Sequence, residues 1–296
     1  MFEFAAYRFE FRALDEIRFP PGKSGNVFRG ALGETLRREV CRPDCPGAGS
    51  CPHRAECAYA RLFEPVLEGG PSGLASPPRP FVLRPKFEEG RPLAPGETLR
   101  LDLHLFDVRT PFLPHLIGAL SQLARTGLGP GRGRAELDRV FTVDEQGRPA
   151  KTIRISLAPS SSPVSRIRVH FETPTELKAG GQVAEGLDFP VLAMRLRDRV
   201  SALNRLYGDG SVQLDWKGLA EQAAAVRTAA SALRREEIER RSSRTGQTHP
   251  LGGLLGWVEY EGRLEPFLPL LRAGEWTGVG RQTVWGKGAY RLARVE

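Results

Sequence analysis

The sequence predicts an α+β protein made of two tandem ferredoxin-like domains, each with a glycine-rich loop before its last strand. The motif PFLP occurs twice, at Pro111 and at Pro266. After each copy come an apolar helix-like segment, a TGxG motif, a second Gly-x-Gly and a strand-like segment, in the same order. An internal similarity of this kind determines the architecture. Each half also has the order strand, helix, strands, helix, strand, which is the split βαβ pattern.

The first domain is predicted to span residues 1–160. It opens with a strand, because Phe2, Phe4 and Ala6 recur at every second position. A helix over Gly25–Val40 is indicated by apolar residues at helical spacing. The remaining predicted elements are strands near Phe81–Arg84 and Glu97–Phe106, the helix that begins at the first PFLP, and the closing strand RAELDRVFTV.

The second domain is predicted to span residues 165–296. It begins after the linker SLAPSSSPVS, whose serines and prolines mark a boundary. Its first strand is RIRVHFETP, and a helical insertion follows, with helices over Pro190–Tyr207 and Trp216–Arg241. A hairpin near Leu251–Glu261 then leads into the second PFLP helix, the glycine-rich loop and the last strand.

The charge balance favours an anionic partner. The chain has 43 Lys and Arg against 35 Asp and Glu, a net charge of +8. Such an excess is typical of proteins that bind nucleic acid, and a solvated basic surface is the alternative. The N-terminus carries charges throughout its apolar run, unlike a signal peptide, and no window approaches the roughly 20 apolar residues of a membrane span. We therefore expect a cytoplasmic protein with reduced thiols and no membrane partner.

The cysteines form an insertion at about residues 41–57. Their spacing is C-x3-C-x5-C-x5-C, and prolines and glycines between them disfavour a long helix or strand. A loop that lacks a core gains from a tetrahedral Zn²⁺ bound by four thiolates, and such a closed site is structural rather than catalytic. An iron–sulfur cluster and four reduced thiols are the alternatives. The predicted ligands are Cys41, Cys45, Cys51 and Cys57.

Three stretches resemble one family of CRISPR-associated proteins. They are NVFRGALGETLRREVC (Asn26–Cys41), RSSRTGQTHPLGGLLGWVEYEG (Arg241–Gly262) and PFLPLLRAGEWTGVGRQTVWGKGAYRL (Pro266–Leu292). The core of the last stretch, GVGRQTVWGKG, fits the Gly-x-Gly, five residues, Gly-x-Gly pattern of that family's closing loop. The chain is similar, over most of its length, to the precursor-RNA processing endoribonucleases of the RAMP superfamily, the repeat-cleaving family numbered six in the CRISPR-associated series.

The resemblance implies a metal-independent endoribonuclease. Such enzymes bind the repeat of a long CRISPR transcript and cut it at one phosphate to give mature crRNA. The ribose 2′-hydroxyl attacks the adjacent phosphate and leaves a 2′,3′-cyclic phosphate. The implied partners are CRISPR repeat RNA, crRNA and other CRISPR effector subunits. The alternative within the superfamily is a non-catalytic RNA-binding subunit of a CRISPR complex, and a DNA-binding zinc protein is disfavoured by the duplicated glycine loops.

The resemblance also implies a role for the first helix, where many members of the family hold a catalytic histidine. Here the helix contains Arg29 and Arg37 on one broad face but no histidine. Arginine stabilises developing negative charge but does not readily give up a proton, so these two residues form one candidate active site, and a solvated helix face is the alternative. Arg38 can pair with Glu34 at i, i+4. His249, in the polar loop stretch RTGQTHPLGG, is the candidate for proton transfer, and a loop histidine that contacts only phosphate or solvent is the alternative.

The candidate RNA-binding residues lie in the two glycine-rich loops and near His249. The glycines permit close backbone approach to a ligand, and basic side chains supply the countercharge, although ordinary turn glycines beside exposed arginines are the alternative. Trp285 can stack on an unpaired base or pack in the core. The candidates for phosphate contact are Arg132, Arg134, Arg241, Arg244, Arg281 and Lys287.

Overall fold

The chain divides into two compact units in a computed structural model. The structure describes residues 1–47, 49–66, 77–144, 148, 152–159, 162–210, 216–241 and 248–295. The N-terminal unit is Phe4–Ile153, and the C-terminal unit is Arg154–Glu296 together with Met1–Glu3. This division falls a few residues before the boundary at residues 160–165 that the sequence predicts.

The N-terminal unit is an antiparallel sheet packed against helices. Its strand order is β2-β3-β1-β4, with a short β5 also paired to β1. The first and third strands are central and the second and fourth lie at the edges, as in a ferredoxin-like fold. The elements are β1 Phe2–Ala13, α1 Ser24–Val40, α2 Ala58–Phe63, β2 Phe81–Pro85, β3 Thr98–Leu105, α3 Leu113–Thr126 and β4 Ala135–Thr142. The short β5, Ile153–Ile155, lies where the chain passes into the C-terminal unit.

The C-terminal unit repeats this topology. Its main sheet has the order β13-β6-β12-β9, which again places the first and third strands at the centre. The core joins β6 to α4 and α6 through fully buried side chains such as Val169, Leu196 and Leu271. The elements are β6 Arg166–Thr175, β7 Lys178–Ala179, β8 Gln182–Val183, α4 Phe189–Tyr207, α5 Trp216–Ala224, β9 Arg227–Glu236, β10 Glu239–Arg241, β11 Thr248–Pro250, β12 Gly253–Glu261, α6 Leu268–Thr277, the 3₁₀ turn Thr283–Trp285, and β13 Tyr290–Val295.

Two sequence predictions for the chain between α4 and α6 are wrong. The helix predicted over Trp216–Arg241 ends at Ala224, and the chain then forms the edge strand β9. The hairpin predicted near Leu251–Glu261 is instead the single strand β12, which pairs with β9 along nearly its whole length. Alanine and arginine in β9 favour a helix, but pairing with β12 overrides that local preference. Because most of β9 is exposed, it also lacks the apolar alternation that would have revealed a strand.

Ion pairs connect neighbouring strands on the polar face of each sheet. Glu10 on β1 is buried and lies 2.8 Å from Arg100 on β3 and 2.7 Å from Arg139 on β4. In the C-terminal unit the carboxylate lies on the third strand instead of the first, since the buried Glu259 on β12 pairs with two arginines of β6.

None of the helices in the described part of the chain has the length and hydropathy that crossing a membrane requires.

We expect Glu10→Gln to lower the free energy of unfolding by roughly 1–3 kcal/mol at neutral pH, the usual cost of removing one partner of a largely buried charged hydrogen bond. The hydrogen bond with Arg100, and the charges of Arg139 and Arg100, lower the pKa of Glu10. Its contribution is therefore present above the unfolded-state pKa of about 4.5 and is lost as the pH falls through the lower folded-state value.

Urea denaturation at neutral and at acidic pH measures this difference. Glu136→Gln is the control, because Glu136 pairs with Arg12 in an exposed position where such pairs contribute little. A loss in Glu10→Gln that does not shrink in acid would contradict the assignment.

Candidate nucleic-acid interface and active site

The C-terminal glycine loop, residues 277–289, folds back on its own unit. The N–H of Val279 donates to the carbonyl of Gly288 over 2.9 Å, and the N–H of Gly288 donates to the carbonyl of Pro174 over 3.1 Å. Gly288 has a φ of +69°, and a Cβ at this position would overlap the carbonyl oxygen of Val279. Glycine is therefore needed for close packing of backbone on backbone, and these N–H groups are engaged within the protein rather than turned toward a phosphate.

The N-terminal glycine loop, residues 127–134, closes in the same way. Leu128 and Gly133 exchange backbone hydrogen bonds of 2.8 and 3.1 Å. A Cβ at Gly133 would overlap the carbonyl oxygen of Glu16, in the segment that follows β1. The repeat seen in the sequence thus corresponds to two loops that serve the same structural purpose in their separate units.

Basic and aromatic side chains of the C-terminal glycine loop differ in their access to solvent. Arg281 is exposed and forms an ion pair with Glu176. Lys287 is only 6% exposed, so little of it reaches a surface where RNA could bind. Trp285 is half-buried, and the guanidinium carbon of Arg240 lies 5.2 Å from its ring centroid. Arg281 and the Arg240–Trp285 pair are therefore the accessible part of this loop region.

In the N-terminal glycine loop, Arg132 is the more available cation. It is exposed, its φ is +50°, and no acidic side chain in the described part of the protein forms an ion pair with it. Arg134 is also exposed, but its Nε lies 2.7 Å from Oδ2 of Asp15. The hydrogen bonds from Arg134 lower the pKa of Asp15, which therefore stays charged and competes with any phosphate for this arginine.

The predicted arginine site on α1 forms a cluster with α2. The guanidinium carbon of Arg29 lies 5.2 Å from the ring centroid of Phe63, and the ring of Tyr59 stacks on the same phenylalanine at 5.6 Å. Burial raises the pKa of Tyr59 to about 12, a hydrogen bond to Glu64 adds to the rise, and the charges of Arg37 and Arg29 oppose it. Arg29, Arg37 and Tyr59 thus lie close enough to act on one another electrostatically.

Arg38 lies outside this cluster. Its Nη2 is 2.7 Å from Oε1 of Glu34, one turn earlier on α1, as the sequence predicts. Arg37 is exposed in the last turn of the helix and has no ion-pair partner in the described part of the chain. The structure therefore distinguishes two adjacent arginines, since Arg38 is neutralised by a carboxylate and Arg37 has no such partner among the described residues.

His249 is in a strand rather than in the predicted loop. It lies on β11, where its backbone is opposite Arg240 of β10, and Arg241 of β10 is opposite Thr248. Gln282 of the C-terminal glycine loop donates its side-chain amide hydrogen to the carbonyl of Pro250 over 2.6 Å, so the loop is attached to the strand that carries His249. Arg244 lies outside the described residues.

The sequence analysis missed a polar surface on the C-terminal sheet. The guanidinium carbon of Arg168 on β6 lies 4.4 Å from the ring centroid of Trp257 on β12. His170, two residues along β6, is exposed between Trp257 and Arg291 in the strand register. The alternation in RIRVHFE places Arg166, Arg168 and His170 on one face, and this signal could have identified the surface.

The four cysteines are brought together. All four line one cavity, which His53 and Glu56 also line. All four are free cysteines. Within the described residues, no group of three or more His, Cys, Asp and Glu side chains is already arranged as a metal site, so the predicted zinc stays a prediction.

Comparison with protein families gives two matches that together span nearly the whole chain. Residues 2–162 match AF_1859_N, a family described as an N-terminal domain. Residues 169–290 match the family described as CRISPR-associated endoribonuclease Cas6, and this match includes the C-terminal glycine loop. An uncharacterized protein of Archaeoglobus fulgidus is 26% identical over 284 residues, which are 90% of this chain and 91% of the relative.

Solved structures show the same fold. The chain is similar to a Cas6 product complex with a TM-score of 0.63 and 20% identity, covering 98% of this chain and 99% of the other. A second Cas6 product complex has a TM-score of 0.57 and 18% identity, covering 99% of this chain and all of the other. Thermus thermophilus Cas6 has a TM-score of 0.57 and 18% identity over 98% of both chains. These likenesses confirm the tandem ferredoxin-like architecture.

The close backbone approach in the N-terminal glycine loop has a direct test. We expect Gly133→Ala to lower the melting temperature, because the new Cβ would overlap the carbonyl of Glu16, and overpacking of this kind costs about 1–3 kcal/mol. Gly131→Ala is the matched control, since no atom lies within 4 Å of a Cβ two residues away in the same loop. Thermal unfolding followed by circular dichroism compares the two variants, and equal melting temperatures would contradict the proposed packing.

Proposed function

Because the chain belongs to the Cas6 family of CRISPR-associated proteins, we propose that it binds CRISPR repeat RNA and cleaves it to produce mature crRNA. The observation that carries this proposal is the match of residues 169–290 to the endoribonuclease family. The net charge of +8 fits a polyanionic substrate, and the exposed arginines of the glycine loops provide countercharge. Other CRISPR effector subunits are a further class of partner in this proposal.

The proposed reaction uses a nucleophile that belongs to the RNA. The ribose 2′-oxygen forms a bond to the adjacent phosphorus while the bond from phosphorus to the 5′-oxygen breaks. The 2′-hydroxyl proton leaves to a base, and the departing 5′-oxygen receives a proton. The products are a 2′,3′-cyclic phosphate and a 5′-hydroxyl end. The protein has to align these atoms, hold the negative charge that develops on the phosphoryl oxygens and assist the proton transfers.

The cluster on α1 and α2 suits the electrostatic part of this task. Arg37 is exposed, so its planar guanidinium can reach a phosphate and donate two parallel hydrogen bonds to it. Packing of Arg29 against Phe63 holds a second positive charge nearby. Arginine does not give up its proton at neutral pH, so a different group has to serve as acid or base, and His249 is the candidate.

RNA binding is assigned to side chains rather than to backbone nests in the glycine loops. Arg132 has no ion-pair partner in the described residues, whereas Arg281 must exchange Glu176 for a phosphate. The Arg240–Trp285 pair offers a planar surface on which an unpaired base can stack. Double-stranded parts of the repeat would then be recognised mainly by shape and phosphate position.

A second candidate function is a non-catalytic RNA-binding subunit. The observation that favours it is the absence of histidine from α1, the helix on which many family members carry a catalytic histidine. The two functions share RNA binding and differ in cleavage, so one assay of both properties separates them.

We expect the purified protein to cut end-labelled cognate repeat RNA at one position in EDTA and to leave a 2′,3′-cyclic phosphate. Arg37→Ala should lower the single-turnover cleavage rate on the order of 100-fold, the usual cost of losing one donor to a developing oxyanion. Arg38→Gln is the matched control, because Arg38 pairs with Glu34 and should leave the rate near that of the wild type.

His249→Ala tests the proton-transfer assignment in the same assay. Tight binding of the repeat without cleavage by the wild-type protein would reject the nuclease and support the RNA-binding subunit. Equal rates for Arg37→Ala and Arg38→Gln would remove the α1 cluster from the reaction without affecting the family assignment.

Salt dependence measures the phosphate contact of Arg132. Arg132→Gln should weaken RNA binding and reduce the slope of log K against log salt concentration by about 0.7–0.9, the value for one lost phosphate contact. The comparison is the double variant Asp15→Asn/Arg134→Gln, which removes an existing ion pair and leaves the net charge unchanged. A wild-type slope in Arg132→Gln would exclude this arginine from the interface.

A further inference from the structure

We infer that Cys41, Cys45, Cys51 and Cys57 bind one structural Zn²⁺, which connects the end of α1 to the start of α2. This site is independent of the RNA chemistry proposed above. All four cysteines line one cavity beside Val40 at the end of α1, so their sulfurs belong to one cluster. Four thiolates around one ion are the donor set of a closed tetrahedral zinc site.

The outer ligands are fixed by helices. Cys41 is the first residue after α1, and its N–H donates to the carbonyl of Arg37 over 3.0 Å. Cys57 is the residue before α2, and its carbonyl accepts from the N–H of Arg61 over 3.0 Å. The first and last thiols therefore start from rigid positions, which reduces the entropy lost when they bind a metal.

The inner ligands lie in a loop that has no apolar core. Turns are closed by the N–H of Cys45 donating to the carbonyl of Arg42 and by the N–H of Arg54 donating to the carbonyl of Cys51, at 3.1 and 3.2 Å. None of the described residues from 41 to 57 is buried, yet each cysteine is less exposed than most of its neighbours. A loop with this pattern needs a source of stability other than apolar burial, and metal binding supplies one.

The arrangement of the cysteines also favours a metal over two disulfides. All four cysteines are free, and they line one cavity rather than two separate places. A single shared cavity is expected when all four sulfurs bind one ion. Because no three ligands in the described residues already surround a common point, the thiols have to rotate toward one another when zinc binds.

The site would position the proposed catalytic cluster. The N–H of Cys41 donates to the carbonyl of Arg37, and Tyr59 follows Cys57 by two residues. Zinc would therefore set the distance between the end of α1 and the start of α2, and with it the relation of Arg37 to Tyr59. This consequence alone rests on the proposed function.

The test uses the full chain, purified without chelators or affinity metal. Elemental analysis by mass spectrometry should find about one zinc per chain, as four thiolate ligands form one closed site. Cys45→Ser should lose the zinc, whereas His53→Ala should keep it, since His53 is exposed between the cysteines and is outside the assigned ligand set. If Cys45→Ser fails to fold, the wild-type protein loaded with Co²⁺ should show the visible absorption of tetrahedral thiolate coordination.

Four outcomes would overturn the inference. They are a zinc-free native protein whose four thiols are all alkylated, two disulfides in protein purified under cytosolic redox conditions, iron in place of zinc, and loss of zinc in His53→Ala. The RNA assay separates this inference from the proposed function. Bound zinc without RNA cleavage supports the metal site and rejects the nuclease. RNA cleavage by a protein that binds no zinc supports the nuclease and rejects the metal site.

Discussion

Close approach of backbone to backbone in the two glycine loops is the constraint on which the rest of each unit depends. The C-terminal loop connects α6 to β13, and β13 pairs with the central strand β6. The N-terminal loop connects α3 to β4, which pairs with the central strand β1. In both units the last strand reaches its place at the edge only if the loop before it folds tightly. Gly288 and Gly133 allow this because neither carries a Cβ.

The tight backbone packing of the two loops limits which of their groups can bind an anion. N–H groups that close a loop are not available as a phosphate nest, so recognition passes to side chains at the loop surface. Those side chains are not equivalent, since Arg134 and Arg281 already face carboxylates while Arg132 does not. The charge that is available to attract a polyanion is therefore smaller than the count of arginines suggests, and it is unevenly distributed along each loop.

The sequence predicts those parts of the structure that local patterns determine. The duplicated PFLP and glycine motifs predict the two ferredoxin-like units, and apolar spacing predicts α1 almost to its ends. The prediction from local sequence fails for β9, because an exposed edge strand rich in alanine resembles a helix until its partner β12 is known. The local sequence also does not predict that Lys287 is buried, because this burial results from the folding of the whole loop. The contact between Arg29 of α1 and Phe63 of α2 spans a loop and depends on packing that no local motif encodes.

Each glycine loop contains one residue other than glycine in a left-handed backbone conformation. These are Arg132 and Gln282, with φ values of 50° and 60°. Such a conformation costs of order 1 kcal/mol or more for a residue with a side chain, and glycine would avoid that cost. At position 282, however, glycine would also remove the hydrogen bond to Pro250 and detach the loop from the strand that carries His249. The loop thus gives up local stability and gains a hydrogen bond that holds it to β11, so the strained residue acts as a clamp between these two segments.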